Sequence, residues 1–283
     1  MEKELVRKIL GKEAFIVSPI FGGMMNNSFL VVNNDKKYIL YIPTEQANEM
    51  VDRSLEKLNQ QIVYSLGITS KNIYFDVQKG IKMNEYIEGS SIDKINEFDY
   101  QKIAKMLKTL HQSPVLSREN YNPFNRFIGY EKEAKEFVGE FEKNYVLLRE
   151  KLFKNETMLK SQKLVLSHND AQRSNIIRSE NDNYYIIDFE FMGNNDEIYD
   201  IACFGNGLVS EGYKLLEAYF GNPSASEKRR YYLWRIYVSL QWYLVALVKH
   251  YRGEGAIHNF DFLKVAEHFL NNAKDAYEGL TNI

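Results

Sequence analysis

In the stretch Leu164–Asn206 an apolar run ends at His168, Asp170 follows two residues later, and Asn175 lies five positions beyond it. A second apolar run, Tyr184–Ile187, delivers Asp188 at its end, with Glu190 two positions on. This set of residue types suits phosphoryl transfer, which needs positioning and charge neutralisation more than covalent catalysis. One carboxylate must orient a hydroxyl and accept its proton, and Asp170 fits that role. A second carboxylate and an amide oxygen must hold Mg²⁺, which prefers oxygen ligands; Asp188 and Asn175 fit there. Taken singly, an Asp after a strand is a turn former or helix cap, and His168 is a buried, satisfied histidine. The functional reading rests on the ordered set: D-x-x-x-x-N, a short hairpin, then an apolar strand ending in D-F-E.

Those residues need elements to carry them. Residues 2–12 read as an amphipathic helix with Leu5, Ile9 and Leu10 on one side. Phe15–Ile20 leads to a Gly-Gly turn at Gly22 and Gly23. Ser28–Asn33 and Lys37–Ile42, joined by Asn34-Asp35-Lys36, form an expected β-hairpin. Glu45–Leu66 has helical spacing at Met50, Leu55, Leu58 and Ile62, and short strands are expected near Ile73–Asp76 and Ile81–Tyr86. After Gly89 the pattern turns helical. Tyr100–Gln112 sets Ile103, Met106, Leu107 and Leu110 on one face, and Tyr130–Leu159, Ser210–Phe220, Glu227–His250 and Asp261–Ala276 continue it. Val165-Leu166 and Tyr184–Ile187 are short strands. The expectation is an α+β chain: a small antiparallel sheet with helices over residues 1–89 and a mostly helical part over residues 90–283.

The composition narrows the function classes. The chain has 283 residues, a formal net charge of −2, 45% hydrophobic and 26% charged residues, the profile of a folded protein rather than a disordered one. That charge argues against dependence on a nucleic-acid backbone. The single cysteine, Cys203, excludes a disulfide framework and a multi-cysteine zinc site; it reads as a small buried residue. Met1–Phe15 carries charges throughout and no apolar run, so it is not a secretory signal, and a cytoplasmic location is expected. Tyr231–Val248 has about the ~20-residue length of a membrane span. It contains Arg235 and Gln241, however, which are costly in lipid, so it reads as a buried helix. The expected partner is a small molecule, with no nucleic acid and no membrane insertion.

At these motifs the sequence resembles the choline kinase branch of the aminoglycoside phosphotransferase family, whose members share a protein-kinase-like, two-lobed fold. His168-Asn169-Asp170 with Asn175 looks like the family's catalytic loop, and Ile187-Asp188-Phe189-Glu190 like its metal-binding element. Phe191–Ile201, with Asn195 and Tyr199-Asp200-Ile201, is similar to the pattern that continues it in choline kinases. Gly22-Gly23-Met24 with Asn26 resembles the G-G-M-S/T-N phosphate loop, and Asp52-Arg53 with Glu56 the I-D-R-x-x-E helix. Asn84-Glu85-Tyr86-Ile87-Glu88-Gly89 resembles the hinge where main-chain groups meet adenine, and Ile103–His111 the helix ending in L-H-x-S. The resemblance implies ATP and Mg²⁺ as cofactors, with Asp170 as catalytic base beside His168 and Asn175. It implies Asn175, Asp188 and Glu190 as metal-binding groups.

Three positions depart from the pattern. Where the hairpin strand of the family carries a Lys or Arg that contacts ATP phosphates and pairs with the helix Glu, this chain has Tyr41; Arg53 or Lys37 are the candidate substitutes. The Ser/Thr of the phosphate loop is Met25. The Glu usual seven positions after Asp200 is Gly207, with Glu211 about one helical turn away. For the acceptor, the resemblance implies choline, a quaternary ammonium held by aromatic rings. Gln241-Trp242-Tyr243-Leu244-Val245 looks like the W-x-x-W-like cage helix with Val245 in place of the second ring. Trp242, Tyr213, Tyr237 and Glu211 are the acceptor-site candidates, while Asp196-Glu197 reads as a solvated loop face. Ethanolamine, thiamine or an aminoglycoside as acceptor, and a nucleotide-binding pseudokinase, stay open as alternatives.

Overall fold

A computed structural model describes residues 2–20, 25–255 and 260–283. The chain divides into two compact units: Met1–Phe98 with Ser113–Arg118 and Ser174–Met192, and Asp99–Gln112 with Glu119–Arg173 and Gly193–Ile283.

The first unit is built on a five-stranded antiparallel sheet. Helix α1 (Glu2–Leu10) precedes β1 (Phe15–Ile20), β2 (Asn26–Asn33) and β3 (Lys36–Pro43); β4 (Asn72–Asp76) and β5 (Ile81–Glu85) complete the order β1-β2-β3-β5-β4. Asn34, at φ 53°, makes the β2–β3 turn. Alternation along the strands sends Val31, Tyr38, Leu40 and Met83 to one face, where Val6 of α1 closes an apolar core. The expected helix Glu45–Leu66 is two helices, α2 (Glu45–Met50) and α3 (Arg53–Ser65). Asp52 restarts the chain by accepting from the N–H groups of Ser54 and Leu55, which caps α3 and makes Arg53 its first residue.

Residues far along the chain join this unit. β6 (Gly89–Ser91), β8 (Ile176–Ser179) and β9 (Tyr184–Ile186) form a three-stranded sheet in the order β6-β8-β9, and Ile186 N–H donates to Ile68 O. The units therefore do not follow a single break after residue 89.

The second unit is helical: α4 (Tyr100–His111), α5 (Pro123–Val138), α6 (Lys143–Phe153), α7 (Glu156–Lys160), α8 (Glu197–Phe204), α9 (Val209–Phe220), α10 (Ala225–Tyr251) and α11 (Phe262–Thr281), with β7 (Val165–Ser167) paired to β10 (Gly193–Asn195). The run expected as one helix over 130–159 is three. Pro123 starts the first and Gly139, at φ 70°, ends it, a conformation that favours glycine. α10 opens on a capping box between Ser224 and Glu227. It buries Tyr231, Trp234 and Tyr237; Tyr199 packs edge-on against Trp234 and Tyr237, and Phe124 edge-on against Tyr237 and tilted against Trp234.

Arg235, wholly buried in the same helix, donates to Ala202 O at 2.7 Å and Ser239 Oγ at 3.0 Å. A charge inside this apolar run is thus met by the carbonyl end of α8. Among the described residues no helix is long and apolar enough to cross a membrane.

Gly89 joins the sheets of the first unit at φ 155°, and an added Cβ would run into Arg178 O and Ser179 Cα. Gly89→Ala is expected to cost about 3 kcal/mol, measured as a lower urea midpoint at unchanged m-value.

Candidate active site

The first unit gathers charge on the sheet face opposite its apolar core. The β3–β5 register sets Leu40 beside Met83 and Tyr41 beside Lys82. Since Leu40 and Met83 turn inward, Tyr41 and Lys82 share the other face. Lys82 makes a short ion pair with Glu56 of α3, lies 3.7 Å from Asp188 Oδ1, and sits 5.1 Å from the centre of the Tyr41 ring. Arg53, one helical turn before Glu56, donates to Glu56 Oε2 at 2.7 Å and approaches Glu190 Oε1 at 3.5 Å. Asn26 Nδ2 donates to Glu190 Oε1 at 2.5 Å.

The β8–β9 hairpin brings the remaining residues together. Ile176 pairs with Ile186, and Ile187 N–H donates to Asn175 O at 3.0 Å, so residue 175 and Asp188 emerge side by side at its open end. Asp188 stands at φ 71°, a left-handed conformation that Asp tolerates better than most residues.

The electrostatics follow from burial. Burial pushes Glu190 up to about 7, with Asp188 adding to the shift. Asp188 is also raised, by burial against the opposing pull of Lys82. Burial would raise Glu56 too, but Lys82 and Arg53 outweigh it and hold that carboxylate low. Lys82 is raised because Glu56, Asp188 and Glu190 overcome its desolvation. Burial lifts the Tyr41 hydroxyl to about 12, so that ring stays neutral beside the lysine.

Oxygens of Glu56, Asp188 and Glu190 all lie within 4.8 Å of one another. Asp188 Oδ1 and Glu190 Oε2 are buried without a hydrogen-bond partner. Hard oxygen donors left unsatisfied in this way fit Mg²⁺, with Asp188, Glu190 and the adjacent Asn175 as the residues to hold it.

In the second unit, β7 runs into a tightly held loop. Asn169, at φ 64°, is 3% exposed. Its N–H donates to Asp200 Oδ1 at 2.7 Å, its amide donates to Ser167 O and Gly193 O, and its amide oxygen accepts from Asn195. The backbone is pinned while the next side chain, Asp170, is half-buried and accepts from Gln172 Nε2 at 3.2 Å. A carboxylate held this way can receive a proton. His168 is wholly buried, and its backbone N–H donates to Asp200 Oδ2 at 2.8 Å.

Other expected residues fall in several places. Gly22 and Gly23 lie outside the described residues. Asn84 is 8% exposed and its Oδ1 accepts from Gln60 and Asn72, so its side chain braces α3 and β4. The amides of Glu85 and Tyr86 donate to Lys71 O and Lys37 O; Ile87 is half-buried at the end of this segment.

Among the acceptor candidates, Tyr237 is wholly buried with its hydroxyl bonded to Pro123 O at 2.5 Å, which makes it core. Trp242 stacks on Phe269 at 5.7 Å and Tyr213 on Tyr232 at 5.8 Å. Glu211 accepts from Tyr100 and Lys214; together with Arg173 they hold it low against its burial. Asp196 is no solvated loop residue: it is 1% exposed and accepts from Trp234 Nε1 and Arg230, both at 2.8 Å.

The residue that sequence reasoning missed is Lys82. Its signal was a lone cation in the strand Ile81–Glu85, next to buried Met83, but only the strand register shows that it stands next to Tyr41. Lys37, one expected substitute, pairs instead with exposed Glu88 at 3.0 Å.

Comparison with known proteins agrees with the motif reading. The family model for choline/ethanolamine kinase matches residues 17–218. Protein LicA of Haemophilus influenzae is 26% identical over 253 residues, spanning 82% of this chain and 73% of that protein. The crystal structure of choline kinase LicA from Streptococcus pneumoniae superposes with a TM-score of 0.76 at 27% identity, covering 100% of this chain and 98% of that one. A spectinomycin phosphotransferase solved with ADP and spectinomycin gives a TM-score of 0.64 at 16% identity, over 98% of this chain and 97% of that one, a likeness of fold alone. The expected kinase-like α+β fold is therefore the one observed, and the chain is an ATP-dependent small-molecule phosphotransferase that belongs to the choline/ethanolamine kinase family.

Proposed function

We propose that the chain transfers the γ-phosphate of ATP to the hydroxyl of choline in a Mg²⁺-dependent reaction. The observation that carries this is the cluster of Glu56, Asp188 and Glu190 beside Lys82, in which Asp188 Oδ1 and Glu190 Oε2 lack hydrogen-bond partners. Asp188, Asn175 and Glu190 hold the metal, which when bound neutralises charge on the phosphates. Lys82 binds phosphate oxygens, and Glu56 aims it. Arg53 and Asn26 orient Glu56 and Glu190 respectively. Asp170, on its pinned loop, orients the acceptor hydroxyl and takes its proton as the new P–O bond forms. Main chain near Ile87 meets the adenine.

Choline is preferred because the similar LicA of Streptococcus pneumoniae is named a choline kinase, and the similar Haemophilus influenzae protein carries the same name. The second reading is ethanolamine. Gly207 stands where the family's Glu is usual, and Trp242 and Tyr237 are engaged within the protein.

An ADP-release assay with and without Mg²⁺, over choline, ethanolamine, thiamine and an aminoglycoside, tests the activity. Choline turnover is expected, with Asp170→Ala lowering kcat by about 10²–10⁴-fold. A rate unchanged by the substitution contradicts the mechanism, and turnover of ethanolamine but not choline moves the acceptor to the second reading.

The role of Lys82 has its own test, which also separates an enzyme from a pseudokinase. Lys82→Met is expected to lower kcat/KM for ATP by about 10²-fold. Adding Tyr41→Lys, which returns a cation to β3 next to the vacated position, recovers part of that loss. Wild-type kinetics in Lys82→Met would exclude the lysine from the reaction.

A further inference from the structure

Arg53 and Asn26 hold Glu190 from two sides, but they reach only one end of the turn that carries it. The turn is short. Met192 N–H donates to Phe189 O at 3.2 Å, closing Phe189–Met192 directly after the left-handed Asp188. Phe189 is 2% and Met192 3% exposed, so both ends of the turn are sunk in the first unit, while the Asp188 side chain stays partly open.

Asn59 of α3 reaches the far end. Its Nδ2 donates to Met192 O at 3.0 Å. The residue is wholly buried, and its Oδ1 has no hydrogen-bond partner. A buried amide left half-satisfied costs stability, and an apolar side chain of the same shape would fill the space at lower cost. Stability therefore does not account for an asparagine at this place, whereas the bond to Met192 O does.

Arg53 and Asn59 are six residues apart on α3, about 9 Å along its axis. Attached at Glu190 alone, the turn could swing about that point. Attached again at Met192, it has one orientation relative to α3, and so relative to Glu56. Asp188 stands immediately before the turn, and the same two attachments set its distance from Glu190.

We propose that Asn59 is a positioning residue: by holding Met192 O it fixes the turn against α3 and so sets the spacing of Asp188 and Glu190 for a divalent cation. The proposal rests on the reading of those two carboxylates as metal-holding groups. Mg²⁺ demands near-ideal geometry from its oxygen ligands, so a turn free to pivot holds it less well even with every ligand residue unchanged.

The test uses the full chain and reads the turn, the metal and the reaction separately. Asn59→Leu keeps the volume and removes the donor. It is expected to speed exchange of the Met192 amide by about tenfold. Mn²⁺ binding in the presence of ADP, read by electron paramagnetic resonance of the free ion, is expected to weaken by about tenfold. The Mg²⁺ concentration for half-maximal turnover rises by a similar factor, while KM for the acceptor stays within about twofold. Gln60→Leu is the control. The Gln60 amide donates to Asn84 Oδ1 rather than to the turn, so Met192 exchange and Mn²⁺ affinity are expected to stay at their wild-type values. Asn59→Ala, which also removes the donor, takes the place of the leucine variant if that one does not fold.

Unchanged Met192 exchange in the Asn59 variants overturns the proposal. So does faster exchange with wild-type Mn²⁺ affinity, or an equal loss in Gln60→Leu, which would mark a general loosening of α3. If the wild-type chain binds no Mn²⁺ with ADP and turns over neither choline nor ethanolamine, the metal reading fails, whereas the exchange data still decide whether Asn59 holds the turn.

Discussion

Three carboxylates and two cations share one buried space in the first unit. Glu56, Asp188 and Glu190 stand against Lys82 and Arg53, which leaves one excess negative charge if all are ionised. Buried charge is tolerated only when it is paired, protonated or bound to a metal. Glu56 is paired twice, and Glu190, near 7, sits at the edge of protonation. The oxygens without partners belong to Asp188 and Glu190. The proposed divalent cation would complete this arrangement, and each local feature of the first unit delivers one member of it. The Asp52 cap begins α3 at Arg53, the β3–β5 register presents Lys82, and the β8–β9 hairpin presents Asp188 next to Asn175.

The second unit solves a different problem, that of holding a carboxylate in place while keeping it half-exposed. The Asn169 backbone and side chain are satisfied on every side by Asp200, Ser167, Gly193 and Asn195. The adjacent Asp170 keeps its exposure. Buried rings serve this rigidity: Trp234 bonds the N-cap of α8, and Tyr237, Tyr199 and Phe124 pack around it. These rings are scaffold for the loop.

The parts legible in the sequence were those with short-range signals. Asp170, Asn175 and Asp188 lie in one local motif, and its spacing survives translation into a strand, a loop and a hairpin. The long amphipathic helices and the β2–β3 hairpin were legible from periodicity. What escaped depends on pairing between distant residues. Lys82 replaces the cation absent at Tyr41 only because two strands align at that register, and no spacing along the chain reports it. Asp196 looked like a solvated loop residue because its partners, Arg230 and Trp234, are more than thirty positions away. Strands of three residues, such as β6 and β10, are too short to show a period. α8 is buried nearly all round and lacks the polar face by which helices are recognised. Tyr237 illustrates the converse: a ring at helical spacing is first of all packing.

The buried charges are mutually dependent: Glu56 and Lys82 are each stable there because of the other. A double-mutant cycle on stability, using Glu56→Gln, Lys82→Met and the pair, measures this directly. Each single change strands a partner in low dielectric, so the account predicts that the double variant loses less than the sum of the singles by about 2 kcal/mol or more. Additivity within about 0.5 kcal/mol would mean that the two groups do not sense each other, and would contradict the claim.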